Sequence, residues 1–374
     1  MDMRRRATIV DVAREASVSI KTVSRVFNDA PNVRPKTREA VMKVATALHY
    51  HPNVVAQGLV GRRSYLLGLF YENPSPNYVV ELQQGALDRL HGERYRLVVL
   101  PVEQVSSMAD NILSFVRAAA LDGIVLTPPA SDNATILQRL GEARFPFVRI
   151  APTAFPEVGP CNTTDDVAAA QLMTEYLISL GHRRIGMIKG DPTHPSSEAR
   201  LLGFSQALAA AGLTCWHDDV AQGLFTFESG LQAARKLLDR PDRPSAIFAQ
   251  NDDMAAGAIM AAHDLGLRVP HDVSVAGYDD SAIASIVWPR VTTIRQPVFE
   301  MARAATDMLV NMLEDQSYAE VIDHPFALVT RQSTGPAPGA RSLPGDRFKL
   351  TQASPPGLGT GIADQERRRG HWND

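Results

Sequence analysis

From residue 65 the chain settles into a single rhythm. Short apolar runs (LLGLFY at 66–71, LVVL at 97–100, GIVLT at 123–127, PFVRI at 146–150) alternate with helical stretches. The alternation resumes with IGMIK at 185–189, AIFAQ at 246–250 and DVSVAGY at 272–278. Strands separated by helices of about 10–15 residues make βαβ units and therefore parallel sheet. Seven or more such strands over about 270 residues predict an α/β core of two doubly wound lobes rather than one. The first four runs begin one lobe, and those from 185 to 278 build the other. TTIRQP at 292–297 reads as a return crossing between them. Residues 335–374, rich in Gly, Pro, Ser and Arg and without periodicity, read as a disordered tail.

The first fifty residues follow another pattern, entirely helical. Thr8 with Asp11 forms an N-cap pair ahead of Val12, Ala13 and Ala16. Ser17-Val18-Ser19 breaks that helix, and Ser19 can cap a second one carrying Val23, Val26 and Phe27. NDAPNVRP is turn chemistry, after which Pro35 suits the first position of a third helix with Val41, Val44, Ala45 and Leu48 as its apolar stripe. NVVAQGLVGRRS, after His51-Pro52, is a short candidate helix weakened by Gly58, which costs about 1 kcal/mol relative to Ala. It reads as a linker that folds when something holds it.

Charge divides the chain at the same place. The formal net charge is −3, yet residues 1–63 carry 12 Lys and Arg against 5 acids, net +7. The remainder sets 26 cations against 36 acids, net −10. A basic head on an acidic body suits a head that meets a polyanion and a body that does not. Such charges can also be merely solvated, so the head's composition favours nucleic acid only modestly.

Several classes find little support. Two cysteines, Cys161 and Cys215, make no disulfide framework and fit a reducing compartment. MDMRRRATIVDVA holds no apolar run of signal-peptide length before Asp11, and no stretch approaches the roughly 18 apolar residues of a membrane span. The expected location is the cytoplasm, with no membrane partner. No GxGxxG follows a strand, no GxxxxGK[ST] occurs, and the ten histidines form no HExxH. Neither an enzyme, a cofactor nor a metal site is expected.

TIVDVAREASVSIKTVSRVFNDAPNVRPKTREAVMKVATALHYHPNVVAQGL resembles the DNA-binding head of the lactose-repressor (LacI/GalR) family of bacterial transcriptional regulators. The shared features are VSxxTVSRVxN at 18–28, KTREAV at 36–41 and YxPNxxAxxL at 50–59, with Ser17 where the turn often has Gly. LISLGHRRIGMI, ARLLGFSQAL, AIFAQNDDMAAGAI, DVSVAGYDD, VTTIRQP and LVTRQS extend the resemblance to about residue 334, over a core of the periplasmic sugar-binding fold. It implies a helix-turn-helix domain at 1–50, a hinge helix and linker at 51–64, a two-lobed effector-binding and dimerisation domain at 65–334, and a tail at 335–374.

Residue by residue, the resemblance places Ile20 and Lys21 at the family's base-reading pair, opening the recognition helix. Thr22, Ser24 and Arg25 fall where relatives contact phosphate and base edges, and Thr8, Ser19, Asn28, Asn53 and Ala56 complete the implied DNA-binding set. Physically, a helix N-terminus offers N–H groups to phosphate and a cation suits guanine O6/N7, whereas Ile20 can read only a thymine methyl or shape. Leu59 matches the family's minor-groove wedge; an exposed Leu on a weak helix makes sense if two hinges pair and pry open one base step. Packing on the body is the ordinary alternative for Leu59.

In the core, Arg200 of RLLGF and Asp279 of GYDD stand at the family's effector-contacting positions, with Asn251 and Phe225 at other cleft-lining places. Tyr78, Phe70 and Tyr71 sit after or at the end of the first strand, and His194 and Ser196 lie in DPTHPSSEAR. An arginine, a carboxylate, an amide and a few rings suit a small polyhydroxylated ligand, a sugar or sugar derivative. Core packing is as good a reading of Phe225 and Tyr78, and a structural ion pair is the alternative for Arg200 and Asp279. The chain departs from the family at Arg149-Ile150-Ala151, where relatives often end the fourth strand in Leu-Asp.

The implied whole is a repressor whose affinity for a near-palindromic double-stranded operator is set by that effector. It is expected as a homodimer, because two marginal hinge helices need a twofold partner, and not as a tetramer, since no Leu heptads follow Gly335. A transporter's periplasmic-type solute receptor has the same core, but it needs an export signal where this chain has a basic helical head.

Overall fold

The computed structural model describes residues 7–27, 32–48, 50, 63–72 and 75–339. Asn28, Asn53, Ala56, Leu59, the hinge over 51–62 and the tail from 340 lie outside the described residues.

The head is three short helices, α1 (Ile9–Glu15), α2 (Ile20–Phe27) and α3 (Pro35–Ala47). Thr8 and Asp11 form a reciprocal capping box on α1, the Asp11 carboxylate accepting from the Thr8 N–H at 2.9 Å. Ser19 Oγ accepts from the Thr22 N–H at 3.1 Å and starts α2. Between the two helices Ser17 takes φ 54°, the left-handed conformation that makes Gly common in such turns. Pro35 opens α3. Val12, Val23 and Val41, one from each helix, are fully buried together.

The core contains twelve strands among the described residues, in two six-stranded sheets. The first sheet contains β1 (Leu66–Tyr71), β2 (Arg96–Pro101), β3 (Gly123–Leu126), β4 (Phe147–Ile150), β5 (Cys161–Thr163) and β11 (Val321–Asp323). The second contains β6 (Ile185–Lys189), β7 (Val220–Gln222), β8 (Ala246–Ala249), β9 (Ser274–Asp279), β10 (Thr292–Arg295) and β12 (Ala327–Val329). Their orders, β11-β5-β4-β3-β1-β2 and β12-β10-β9-β8-β6-β7, repeat one doubly wound plan, parallel except for β12 against β10. In each, the order reverses where β1 or β6 has its successors on either side, so the crevice at the carboxyl ends is where such a sheet takes ligands.

The chain passes between lobes three times: β5 to α8 (Asp166–Ser179), β10 to α13 (Val298–Leu313), and β11 to β12. α13 returns to bury Met301, Ala305 and Leu309 against Leu67 and Val125 of the first lobe. The crossing expected at TTIRQP is there. No described helix is long and apolar enough to cross a membrane.

The expected start of the tail at 335 is corrected. Gly335 donates to Ser274 Oγ at 3.0 Å, its carbonyl lies 3.1 Å from His182 Nε2, and the Ala337 N–H reaches the Leu180 carbonyl at 2.9 Å. A buried histidine and serine on the second lobe need partners, and this backbone supplies them.

Candidate functional site

Two sites emerge, one on the head's surface and one enclosed in the core. On the head, α2 buries Val23 and Val26 and turns Ile20, Lys21 and Arg25 outward. Ile20 is 48% exposed and so presents an aliphatic surface beside the two cations. Thr22 and Ser24 are half-buried beside them. Arg38 of α3 donates to the Val26 carbonyl at 3.2 Å and pins the helix's far end. The result is a rigid edge presenting an aliphatic group and two cations, with free helix-start N–H groups nearby.

The second site is a cavity of about 30 Å³ between the lobes, room for only one or two waters. Its walls come from the carboxyl ends of strands in both sheets. The first lobe supplies Ser75 and Tyr78, just after β1, and Ala151, just after β4. The second supplies His194, Ser196 and Arg200 after β6, then Phe225, Asn251 and Asp279. Asp166 and Gln296 stand on two of the crossings. The lobes also meet through Ser75 Oγ, which donates to Asp253 Oδ2 at 2.7 Å.

The polar groups differ in how far the protein already uses them. Arg200 Nε donates to Asp166 Oδ1 at 2.7 Å and Nη1 to the Gln250 carbonyl at 2.6 Å, while the guanidinium lies 3.6 Å from the Tyr278 ring centre. Asn251 is engaged at both ends: Oδ1 caps the helix at the Met254 N–H, 2.9 Å, and Nδ2 donates to the Phe225 carbonyl at 2.8 Å. That bond holds Phe225 at φ 60°, a strained value for a bulky residue, with its ring edge-on to His194 at 5.4 Å. His194 is 3% exposed, and its ring nitrogens have no hydrogen-bond partner among the described residues. Burial lowers its pKa to about 4, so the imidazole is neutral and offers one donor and one acceptor to the cavity.

Asp279 ends β9 at φ 105° and accepts from Gln296 Nε2 at 3.1 Å. Water still reaches part of it, yet the cleft walls enclose the carboxyl. That burial pushes it up to about 7, with Arg200 pulling it down and Glu81, Asp253 and Asp166 adding to the rise.

Phe70 and Tyr71 do not line this cavity. Phe70 is fully buried in the first lobe's own core, 6.0 Å edge-on to Phe115, because its place on β1 faces the covering helices rather than the strand's end. Tyr71 is half-exposed at the strand's last residue, clear of the cavity walls. Arg149 is wholly buried and donates to the carbonyls of Ser131, Phe155 and Val158 at 2.6–2.9 Å, and to that of Ala154. It braces the loop after β4 and leaves the apolar Ala151 facing the cavity.

Asp166, Gln296, Ser75 and Pro128 line the cavity although no motif assigned them there, and Ala151 had stood out only as a departure from the family. Asp166 left a signal: Asp165 already caps α8 at the Ala168 N–H, so a second acid opening the apolar run VAAAQLM needed another purpose.

A basic helix-turn-helix head before a two-lobed core with a polar crevice between its lobes defines a class, the DNA-binding regulators that answer to a small molecule. The pattern of "Bacterial regulatory proteins, lacI family" matches residues 8–53, and that of "Periplasmic binding protein-like domain" matches 174–334. Catabolite control protein A of Priestia megaterium is 32% identical over 331 residues, 87% of this chain and 99% of that protein. The transcriptional repressor PurR of Pectobacterium atrosepticum is 34% identical over 343 residues, 89% of this chain and 98% of the relative. The lac repressor dimer bound to operator and the anti-inducer ONPF superimposes with a TM-score of 0.77 at 28% identity, over 88% of this chain and 100% of that one. The chain belongs to the lacI family of bacterial regulatory proteins.

Proposed function

We propose that this chain is a cytoplasmic, homodimeric repressor without enzymatic activity, whose hold on a near-palindromic operator is set by a small polyhydroxylated effector between its lobes. The head over 1–50 reads DNA, the hinge over 51–64 inserts Leu59 in the minor groove, and the core from 65 binds effector and partner. One observation carries this reading: the outward edge of α2 and the interlobe cavity belong to a single chain whose relatives include a repressor solved on its operator. Within the DNA edge, Ile20, Lys21, Thr22, Ser24 and Arg25 are the base and phosphate contacts, aided by Thr8 and Ser19 at the helix starts and by Asn28, Asn53 and Ala56. Within the cleft, Tyr78, His194, Ser196, Arg200, Phe225, Asn251 and Asp279 surround the ligand.

The partner surface is an apolar groove of about 710 Å³ on the second lobe, flanked by Trp288 and Ile286, which are 77% and 78% exposed, and Met260. Monomeric soluble proteins rarely leave such a patch open, so a second copy covers it. Two-fold pairing is also what two marginal hinge helices need.

Selection of duplexes from a random pool by the full chain tests the reading. It should return near-palindromic sites, bound with an affinity that falls steeply with salt as counterions are released. Recovery of no shared sequence, or binding insensitive to salt, would sink it.

A further inference from the structure

The cleft carries an electrostatic bias that narrows the effector's chemistry, given the proposed reading of the cavity as the effector site. Among the described residues Arg200 is the one cation on its wall, and that guanidinium is already neutralised by Asp166 at 2.7 Å, bonded to the Gln250 carbonyl and laid on the Tyr278 ring. Asp166 Oδ1 is itself saturated, accepting also from Tyr278 Oη at 2.7 Å. The remaining ionisable acid is Asp279, bound to an amide rather than a cation.

A second hollow of about 270 Å³ shares Asp279 and Gln296 with the interlobe cavity and opens beside the crossings. Glu81, Asp280 and Glu300 line it, and its cation, Arg295, is paired with Asp280 at 2.7 Å. Asp280 also takes Arg331. The groups that remain are acids, and Glu81 and Glu300 make no ion pair among the described residues.

His194 is the independent sign that something polar belongs in the cavity. It is a buried imidazole on the wall with no hydrogen-bond partner for its ring among the described residues, next to Ser196 Oγ, which also makes no hydrogen bond among them. An uncharged imidazole and a hydroxyl can grip hydroxyls. Neither can neutralise a phosphate or carboxylate.

We propose that the effector carries no negative charge: the cleft accepts neutral polyols, favours an amine-bearing sugar, and rejects phosphorylated and carboxylated sugars. An anion entering here meets one internally paired arginine and otherwise acids rather than free cations, and desolvation of its charge goes uncompensated. An ammonium group, by contrast, finds Asp279 and the acids of the adjoining hollow.

The test uses the full chain and matched sugar triads, each a parent hexose, its 2-amino sugar and its uronate, in the gluco, galacto and manno series, read by calorimetric titration. In the series that binds, the uronate should bind at least tenfold more weakly than the parent, and the amino sugar at least as tightly as the parent. Glu81→Gln, outside the cavity wall, should weaken the amino sugar relative to the parent. A uronate equal to or tighter than its parent overturns the proposal while leaving the cleft an effector site. Failure of every member of every series to bind tells instead against the cavity as a sugar site.

Discussion

The head and the core place their chemistry on opposite sides of the protein surface. On the head the working groups face outward: Ile20, Lys21 and Arg25 are exposed, and the helices beneath exist to hold that edge. In the core the working groups are enclosed, His194 at 3% and Arg200 at 5% exposure, assembled from strand ends far apart in sequence. An exposed edge can lose side chains without losing its fold. An enclosed cluster loses more, because groups such as Arg200, Asp166 and Asn251 are also structural partners of their neighbours.

The largest difference should appear with Arg149→Met. That substitution strands the buried Ser131 carbonyl and the part-buried carbonyls of Phe155 and Val158, and leaves the buried Asp132 carboxylate without the guanidinium 3.7 Å away; losing one partner of such a buried pair costs about 3–5 kcal/mol. Urea denaturation should show the midpoint falling accordingly. An unchanged midpoint would mean that the loop after β4 finds other donors.

Acid should divide the regions next. His182 in the second lobe is fully buried, with Nδ1 2.9 Å from Ser245 Oγ, and burial lowers its pKa from 6.5 to about 4. Between these values the unfolded chain takes up a proton that the folded chain refuses. This group's contribution is therefore complete above pH 6.5 and is lost as pH falls toward 4, by up to about 3 kcal/mol. His182→Gln should flatten that part of the stability profile; a variant with the parent's slope places the titration elsewhere.

Smaller in energy, and opposite in kind, are Lys21→Ala and Arg25→Ala. Each should weaken operator binding by about 1–3 kcal/mol where the side chain reads a base, or reduce the salt slope by about 1 where it touches phosphate. Neither should move the melting temperature by more than a degree or so, since both side chains are solvated. Fluorescence anisotropy beside a thermal melt separates the two outcomes, and a clear loss of stability would remove these residues from the DNA edge.

The same contrast explains what could be read from the sequence. The head was legible because caps, turn and exposed cations lie within one contiguous stretch, from Thr8 to Arg25, where local rules govern. The lobes were legible through the strand–helix rhythm, which fixes parallel sheet before any tertiary contact is known. Cleft membership was less so. Phe70 and Tyr71 were expected there from proximity to a strand's end, yet alternation along β1 turns Phe70 into the lobe's own core and leaves Tyr71 half-exposed, outside the cavity lining. Arg200 and Asp279 could be placed from their motifs, but no local pattern announces that Asp166, thirty-four residues earlier, neutralises the arginine.

The central claim is that an enclosed site governs an exposed one while the two remain separable. A ligand can shift DNA affinity only by its differential affinity for two lobe arrangements, a coupling of typically about 1–3 kcal/mol. The direct measurement is operator Kd, with and without the hexose derivative that binds most tightly, for the parent chain and Asp279→Ala. The account predicts a change of roughly 5- to 150-fold in the parent. In the variant it predicts none, with a ligand-free Kd like the parent's. A variant that still responds with the parent's midpoint, or that loses operator binding without ligand, would contradict it.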